Sequence, residues 1–481
     1  MADNSKHAAY FLLRKRDDEK MQNFAFGSSD YVDKVKQRWI KGDGATEEGI
    51  SEDLKTEVSS KNVQPDFTHA SALTDALSAS VDFGLAQHEL IQAAMLAPVL
   101  MRIVHIQFEV IKPISEVAEK LSDDADATLF GLNEAQYTDL VRRKDKYELS
   151  KKGMERFPTA ILLSIVATFD TLMIDVLSKL LRLQTDWLER SDRTISLGRL
   201  SKATNLEEII GEQLSEEMYQ FSRGSHSDQV DYIKKNFGVD IVRDWKRWPD
   251  YVEIFERRNL VAHGEPSFNK RYVSICQKAG HKGCDDILGS EIKITREYLK
   301  QSLDILIEFS VLLSFSLFRK FVKENEDQAF TNLNEAVFKL IKGGHHLVAE
   351  RISKYALDLQ KVKITSETRL MLLVNQASAL RHLERVDEAR KVLDANDWSA
   401  VSDIFKICVA AVRGDVNEFI KYMKYLKLSG GLRPELLLEW PCFSFMLNDV
   451  NAREAISEEF SLDLLGGTTE VLAKEAEEDE K

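Results

Sequence analysis

The stretch Pro158–Leu181 constrains this chain most. It is apolar for most of its length and is interrupted by two carboxylates, Asp170 and Asp175. A helix that is apolar on several sides must be covered by protein or by lipid. Lipid is the poorer cover. The uncharged stretches Leu90–Met101, Pro158–Phe169 and Phe309–Phe318 all fall short of the roughly 20 residues that a bilayer span needs. Buried helices of a bundle are the expectation. The segment Ile292–Phe321 reads the same way, and only eight prolines among 481 residues leave long helices unbroken. With 44% apolar and 30% charged residues, the chain reads as soluble and all-α.

That length implies roughly two to four domains. Residues 1–125 read as a helical N-terminal region, with short amphipathic helices at Ala8–Lys15 and Tyr31–Lys41 and a polar loop at Lys41–Asp66. Longer helices follow at Ser71–Leu85 and Glu89–Leu121, the second kinked or split by Pro98 and Pro113. His88 and His105 are lone histidines and read as structural. Residues 126–155 form a charged linker carrying Arg142-Arg143-Lys144 and Lys151-Lys152, which either draws in a polyanionic ligand or is simply solvated. A central helical domain spans 156–323 and a repeat region 324–465. The acidic tail 466–481 is expected to be disordered.

The chemistry concentrates at Arg257-Arg258-Asn259-Leu260-Val261-Ala262-His263-Gly264. Arg holds a phosphate with a planar fork of donors, His moves protons near neutral pH, and Asn positions a hydroxyl or phosphate oxygen. Phe255–His263 lacks Pro and Gly, while Gly264 and Pro266 read as a helix stop. At about 100° per residue, Asn259 and His263 share a face about 40° apart, while Arg258 lies about 140° from His263. One helix therefore makes an incomplete site. Two copies across a two-fold axis place two sets of Arg, Asn and His around one cleft. The end of the helix also favours a protonated His263.

These residues, with Asn269-Lys270-Arg271-Tyr272-Val273 and the flanking helices Pro158–Leu181 and Ile292–Phe321 (entered by Tyr298-Leu299), resemble the Arg-x4-His signature of HEPN domains. The resemblance covers about a third of the chain. It implies an all-helical, metal-independent endoribonuclease that works as a homodimer and needs no cofactor. Arg258 would bind and polarise the scissile phosphate, His263 would transfer protons or contact phosphate, and Asn259 would orient them. The RNA 2′-OH would attack its own phosphate, leaving a 2′,3′-cyclic phosphate and a 5′-OH, and DNA would be inert. Such nucleases commonly act as toxins or in defence against phage, and then need a regulatory module. The alternative is a non-catalytic scaffold.

Arg243, Lys246, Arg247 and Arg257 are the basic residues expected to hold RNA. In Arg243-Asp244-Trp245-Lys246-Arg247-Trp248, basic and aromatic residues alternate. That suits phosphate contact with base stacking, and it equally suits a helix whose Trp is anchored in the core. Lys234-Lys235 is a weaker candidate of the same kind. The net charge of −14 argues against broad, nonspecific binding of nucleic acid but leaves room for a local basic cleft. Cys276-x4-His281-x2-Cys284 offers three metal ligands without the usual paired spacing or a fourth, and no His-Glu-x-x-His occurs, so no metal is expected.

Landmarks at Leu340–Gly343, Ala379–His382 and Ala410–Gly414 recur with intervals of 40 and 30 residues. This pattern resembles TPR-like helical repeats, which imply a partner protein or trigger bound at a curved surface. His345-His346 reads as part of a turn. Cys276, Cys284, Cys408 and Cys442 form no disulfide framework, and Met1–Lys6 lacks the apolar core of a signal peptide. A cytoplasmic location without membrane contact is expected.

Overall fold

The computed structural model describes residues 10–14, 23–27, 69–104, 119–123, 128–131, 134–184, 195, 197–200, 202–243, 245–360 and 362–462. Tyr31–Lys41, the polar loop, His105, Pro113, Asp244 and the acidic tail lie outside them. The chain divides into two bodies, Met1–Phe67 and Thr68–Lys481.

In the first body, strand β1 (Tyr10–Arg14) pairs antiparallel with β2 (Asn23–Gly27), Phe11 opposite Phe26. This corrects the helix expected at Ala8–Lys15. A short apolar run has no period that tells helix from strand.

Among its described residues the second body is all-α apart from one short hairpin. Its first helix, α1 (His69–Val104), passes through Pro98 as one element. It ends well before Leu121, because 119–121 belong to strand β3 (Glu119–Asp123), paired with β4 (Thr128–Gly131). The expected linker contains a helix, α2 (Glu134–Met154). Arg142 and Arg143 on it are both paired with Asp139, at 2.7 and 2.6 Å.

The constraining stretch forms α3 (Phe157–Leu183), with proline in its first turn, where a missing N–H costs nothing. Ile161, Leu162, Ile165, Val166, Phe169, Leu172 and Met173 are buried at helical spacing. A four-residue turn, α4 (Leu197–Leu200), leads to α5 (Leu206–Arg223) and α6 (His226–Phe237), each started by a side-chain cap, Asn205 and Ser225. Next come the motif helix α7 (Trp248–Ala262), α8 (Lys270–Lys278) and α9 (Arg296–Phe321). α9 is long and apolar enough to cross a membrane by length and composition, but most of it is buried among other helices, as in a core helix.

α1 lies along α9 at close range. A Cβ added at Gly84 would stand 2.6 Å from Ile307 Cδ1 and 2.7 Å from Cγ1. Alanine gains about 1 kcal/mol of helix propensity over glycine, but overpacking a filled core costs about 1–3 kcal/mol. Gly84→Ala is therefore expected to lower the urea midpoint without changing the slope of the transition. A midpoint at or above wild type would show that α1 does not pack this tightly.

Three helical hairpins follow: α10 (Glu326–Lys342) with α11 (His346–Asp358), α12 (Ser366–His382) with α13 (Val386–Asp394), and α14 (Asp403–Arg413) with α15 (Val416–Leu428). Each first helix ends in the same turn. The N–H of His345, Arg385 and Asp415 donates to the carbonyl of Leu340, Leu380 and Ala410 respectively, 2.9 Å each. The residue before each donor is left-handed: Gly344 (φ 80°), Glu384 (φ 61°) and Gly414 (φ 77°). The intervals of 40 and 30 residues thus recur as backbone geometry. Short helices α16 (Pro434–Glu439) and α17 (Ser444–Leu447), then α18 (Val450–Phe460), end the described chain. One apolar core runs from Leu73 to Ala379 and takes in helices on both sides of residue 323. A second covers Leu373–Ile456.

His346 and His382 stack between two hairpins, ring centres 4.4 Å apart. Burial first, then the facing His382, pushes His346 down to about 4. Its unfolded value is near 6.5, so the folded state resists a proton that the unfolded state accepts. This contribution is whole above pH 6.5 and is lost as pH falls towards 4. The wild-type melting temperature should fall more steeply across that window than that of His346→Phe. Parallel curves would contradict the assignment.

Candidate active site

α7 begins with Pro249 and Asp250 in its first turn, and buries Tyr251, Val252, Ile254 and Phe255. It stops where sequence reasoning placed the stop. His263 caps it, Gly264 takes φ 71°, and the Glu265 N–H returns to the Leu260 carbonyl at 3.0 Å. That turn leaves the His263 side chain exposed at the helix end.

The two adjacent arginines go different ways. Arg257 turns inward, with its side chain 16% exposed and its Nε donating to Glu253 Oε1 at 2.6 Å. Its guanidinium lies 3.9 Å from the Tyr298 ring centre and 5.1 Å from that of Phe268. Glu253 is itself buried and also accepts from the hydroxyls of Tyr272 (2.5 Å) and Tyr298 (2.9 Å). Burial, reinforced by the Glu253 charge, holds both phenols far above their ordinary range, so they remain donors. The expected RNA ligand Arg257 is thus a strut that ties the motif helix to α8 and α9.

Arg258 faces α3. Its Nη2 lies 3.7 Å from Asp170 Oδ2, its side chain is 26% exposed, and its buried Nε has no partner. Asp170 Oδ1 meets His226 Nε2 at 2.6 Å. The His226 ring lies flat on Phe255, centres 3.3 Å apart and 10° from parallel. Burial pushes the His226 pKa down, against the pull of Asp170. Asn259 is half-buried beside Glu256, whose carboxyl is raised chiefly by burial. His263 follows Arg258 by five positions, rotated by about 140° and about 7.5 Å further along the axis. The structure thus brings Arg258 to Asp170 and leaves His263 facing solvent at the helix end.

The remaining basic candidates gather at the other end of α7. Trp245 is buried and donates to Glu308 Oε1 at 2.7 Å, so it is a core anchor. Arg247 pairs with Asp250 at 2.6 Å, while Arg243 and Lys246 are exposed. Lys234, Arg243 and Trp248 line an open cleft together with Asp231 and Asp240, and Lys234 is paired with Asp240 at 2.7 Å. Trp248 and Arg258 are about 15 Å apart along the helix. Within one chain, these residues do not join His263.

Cys276 and Cys284 are buried, and Cys284 Sγ lies 3.2 Å from His281 Nδ1. Burial, then Glu253, pushes the Cys276 thiol up to about 12, unlike a ready thiolate ligand. Among the described residues no group of three or more His, Cys, Asp or Glu is arranged to hold a metal ion.

Sequence reasoning missed Asp170, His226 and Glu253 as members of this site. Asp170 did leave a signal, as a charge inside an apolar helix. Glu253 stands four residues before Arg257, the spacing of a helical ion pair. His226 gave no signal. The chain matches no protein-family model, no curated protein and no solved structure.

Proposed function

We propose that this protein is a metal-independent endoribonuclease of HEPN type that acts as a homodimer in the cytoplasm. The observation that carries the reading is Arg258. Its side chain is 26% exposed against Asp170, and its buried Nε has no partner; it stands beside Asn259 and a turn from the exposed His263. Arg258 binds the scissile phosphate and stabilises its developing charge. Asn259 orients phosphate or hydroxyl. His263, exposed at the helix C-terminus, moves the proton as the RNA 2′-OH attacks. Because one chain leaves Arg258 and His263 apart, the partner's copies complete the cleft. Arg243, Lys246 and Arg247 guide RNA from further along α7.

The hairpins of 326–428 fit a regulatory role in a toxin or anti-phage effector, bound by a partner protein or trigger. They also favour the second reading, a non-catalytic scaffold. Incubating the purified chain with total RNA in EDTA separates the two. The nuclease reading expects cutting that His263→Ala and Arg258→Ala both lack. Intact RNA from every preparation, including protein expressed during phage infection, would favour the scaffold.

A further inference from the structure

Three helices from distant parts of the sequence converge behind Arg258. Asp170 comes from α3, His226 opens α6, and Arg258 lies on α7. The Asp170 carboxylate is shared between the other two, Oδ1 to His226 at 2.6 Å and Oδ2 towards Arg258 at 3.7 Å. A carboxylate that is one-third exposed has two rotatable bonds and several solvated orientations. Something must choose one of them if Asp170 is to hold Arg258 in a fixed place.

His226 has the means. Its side chain is 10% exposed and its ring is clamped against Phe255, so the direction of its Nε2–H is set. Its backbone is set as well. Ser225 caps the helix, donating its N–H to Asp228 Oδ2 at 3.0 Å and accepting from the Asp228 N–H at 3.2 Å. Asp170 and Arg258 are the charged groups facing this ring, and the aromatic rings of Phe169 and Phe255 pack against it. A neutral imidazole there donates one proton to Oδ1 and leaves the carboxylate's charge for the arginine.

We infer that His226 is a positioning residue for Arg258, acting through Asp170: it fixes the carboxylate that aims the phosphate-binding guanidinium. The inference rests on the nuclease reading for its effect on rate, but the aiming itself is measurable without RNA. A histidine that only filled space would be replaceable by any flat ring. A histidine that works through its N–H would be replaceable by a side chain with a donor at similar reach.

The test compares His226→Phe, which keeps the ring on Phe255, with His226→Gln, which keeps a donor. Two quantities are read: steady-state cleavage of RNA in EDTA, and the hydrogen-exchange rate of the Arg258 Nε–H by NMR. His226→Phe should lower kcat about 10–100-fold, as small misplacements of a catalytic group do, with KM within about twofold. His226→Gln should recover most of that loss. Arg258 Nε–H exchange should quicken in the Phe variant and stay near wild type in the Gln variant. Equal rates and equal exchange in all three proteins would overturn the inference, and so would equal damage in both variants. If His226→Phe does not fold, Asp170→Asn carries the same comparison, and normal exchange at Arg258 there would overturn it. If wild type cuts no RNA, the nuclease reading fails, and the exchange data alone decide whether His226 holds Arg258.

Discussion

Glu253→Ala is expected to destabilise the fold by about 3–5 kcal/mol, the usual cost of removing one partner from a buried ion pair. Arg257 keeps its charge, so the variant buries a guanidinium without its carboxylate. Two buried hydroxyls, on Tyr272 and Tyr298, lose their acceptor at the same time. The rings of Tyr298 and Phe268 around Arg257 soften the loss through cation–π attraction, but they cannot neutralise the charge. Urea denaturation followed by circular dichroism measures the effect. The double variant Glu253→Ala/Arg257→Met should be more stable than Glu253→Ala alone, because it removes the stranded charge. A loss below about 1 kcal/mol, the range of an exposed pair, would show that Glu253 is not the keystone of this end of α7.

Arg258→Ala and His263→Ala should each slow RNA cleavage by about 10²–10⁴-fold, the range in which positioned acid–base groups act. Their combined loss should fall short of the product, since residues that act as one unit are not additive. Arg258→Lys should recover little, because an ammonium cannot present the planar fork. Stability should hardly change: His263 is exposed, and Arg258 already leaves its buried Nε unpaired. Arg257→Ala should behave in the opposite manner, losing stability first and activity only in consequence. This contrast between neighbours separates a site residue from a strut, and melting temperatures beside rates would reveal it.

The motif helix was readable because its signals are local. The stop at Gly264 and the apolar spacing of Pro158–Leu181 lie within a few residues of what they determine. The turns after Leu340, Leu380 and Ala410 were visible for the same reason. What escaped was set by distance along the chain. Glu253 meets Tyr272 and Tyr298 19 and 45 residues on, and Asp170 meets His226 56 residues on. No window of local sequence contains such pairs. Arg257 reads as an RNA ligand on residue type, while Glu253 at i−4 offers the competing reading of a helical ion pair. Trp245 went to the core, the alternative that its surroundings had left open. At Tyr10–Arg14, cross-strand pairing decided what the short apolar run Tyr10–Leu13 could not.

The most direct test uses one set of oligonucleotides made both as RNA and as DNA, incubated in EDTA with wild type and His263→Ala, with the product ends mapped. Wild type alone is expected to cut, only RNA is expected to be cut, and the products should carry 2′,3′-cyclic phosphate and 5′-OH ends. Cleavage of DNA at a similar rate, products with free 3′-OH ends, or equal cutting by His263→Ala would contradict the proposed mechanism.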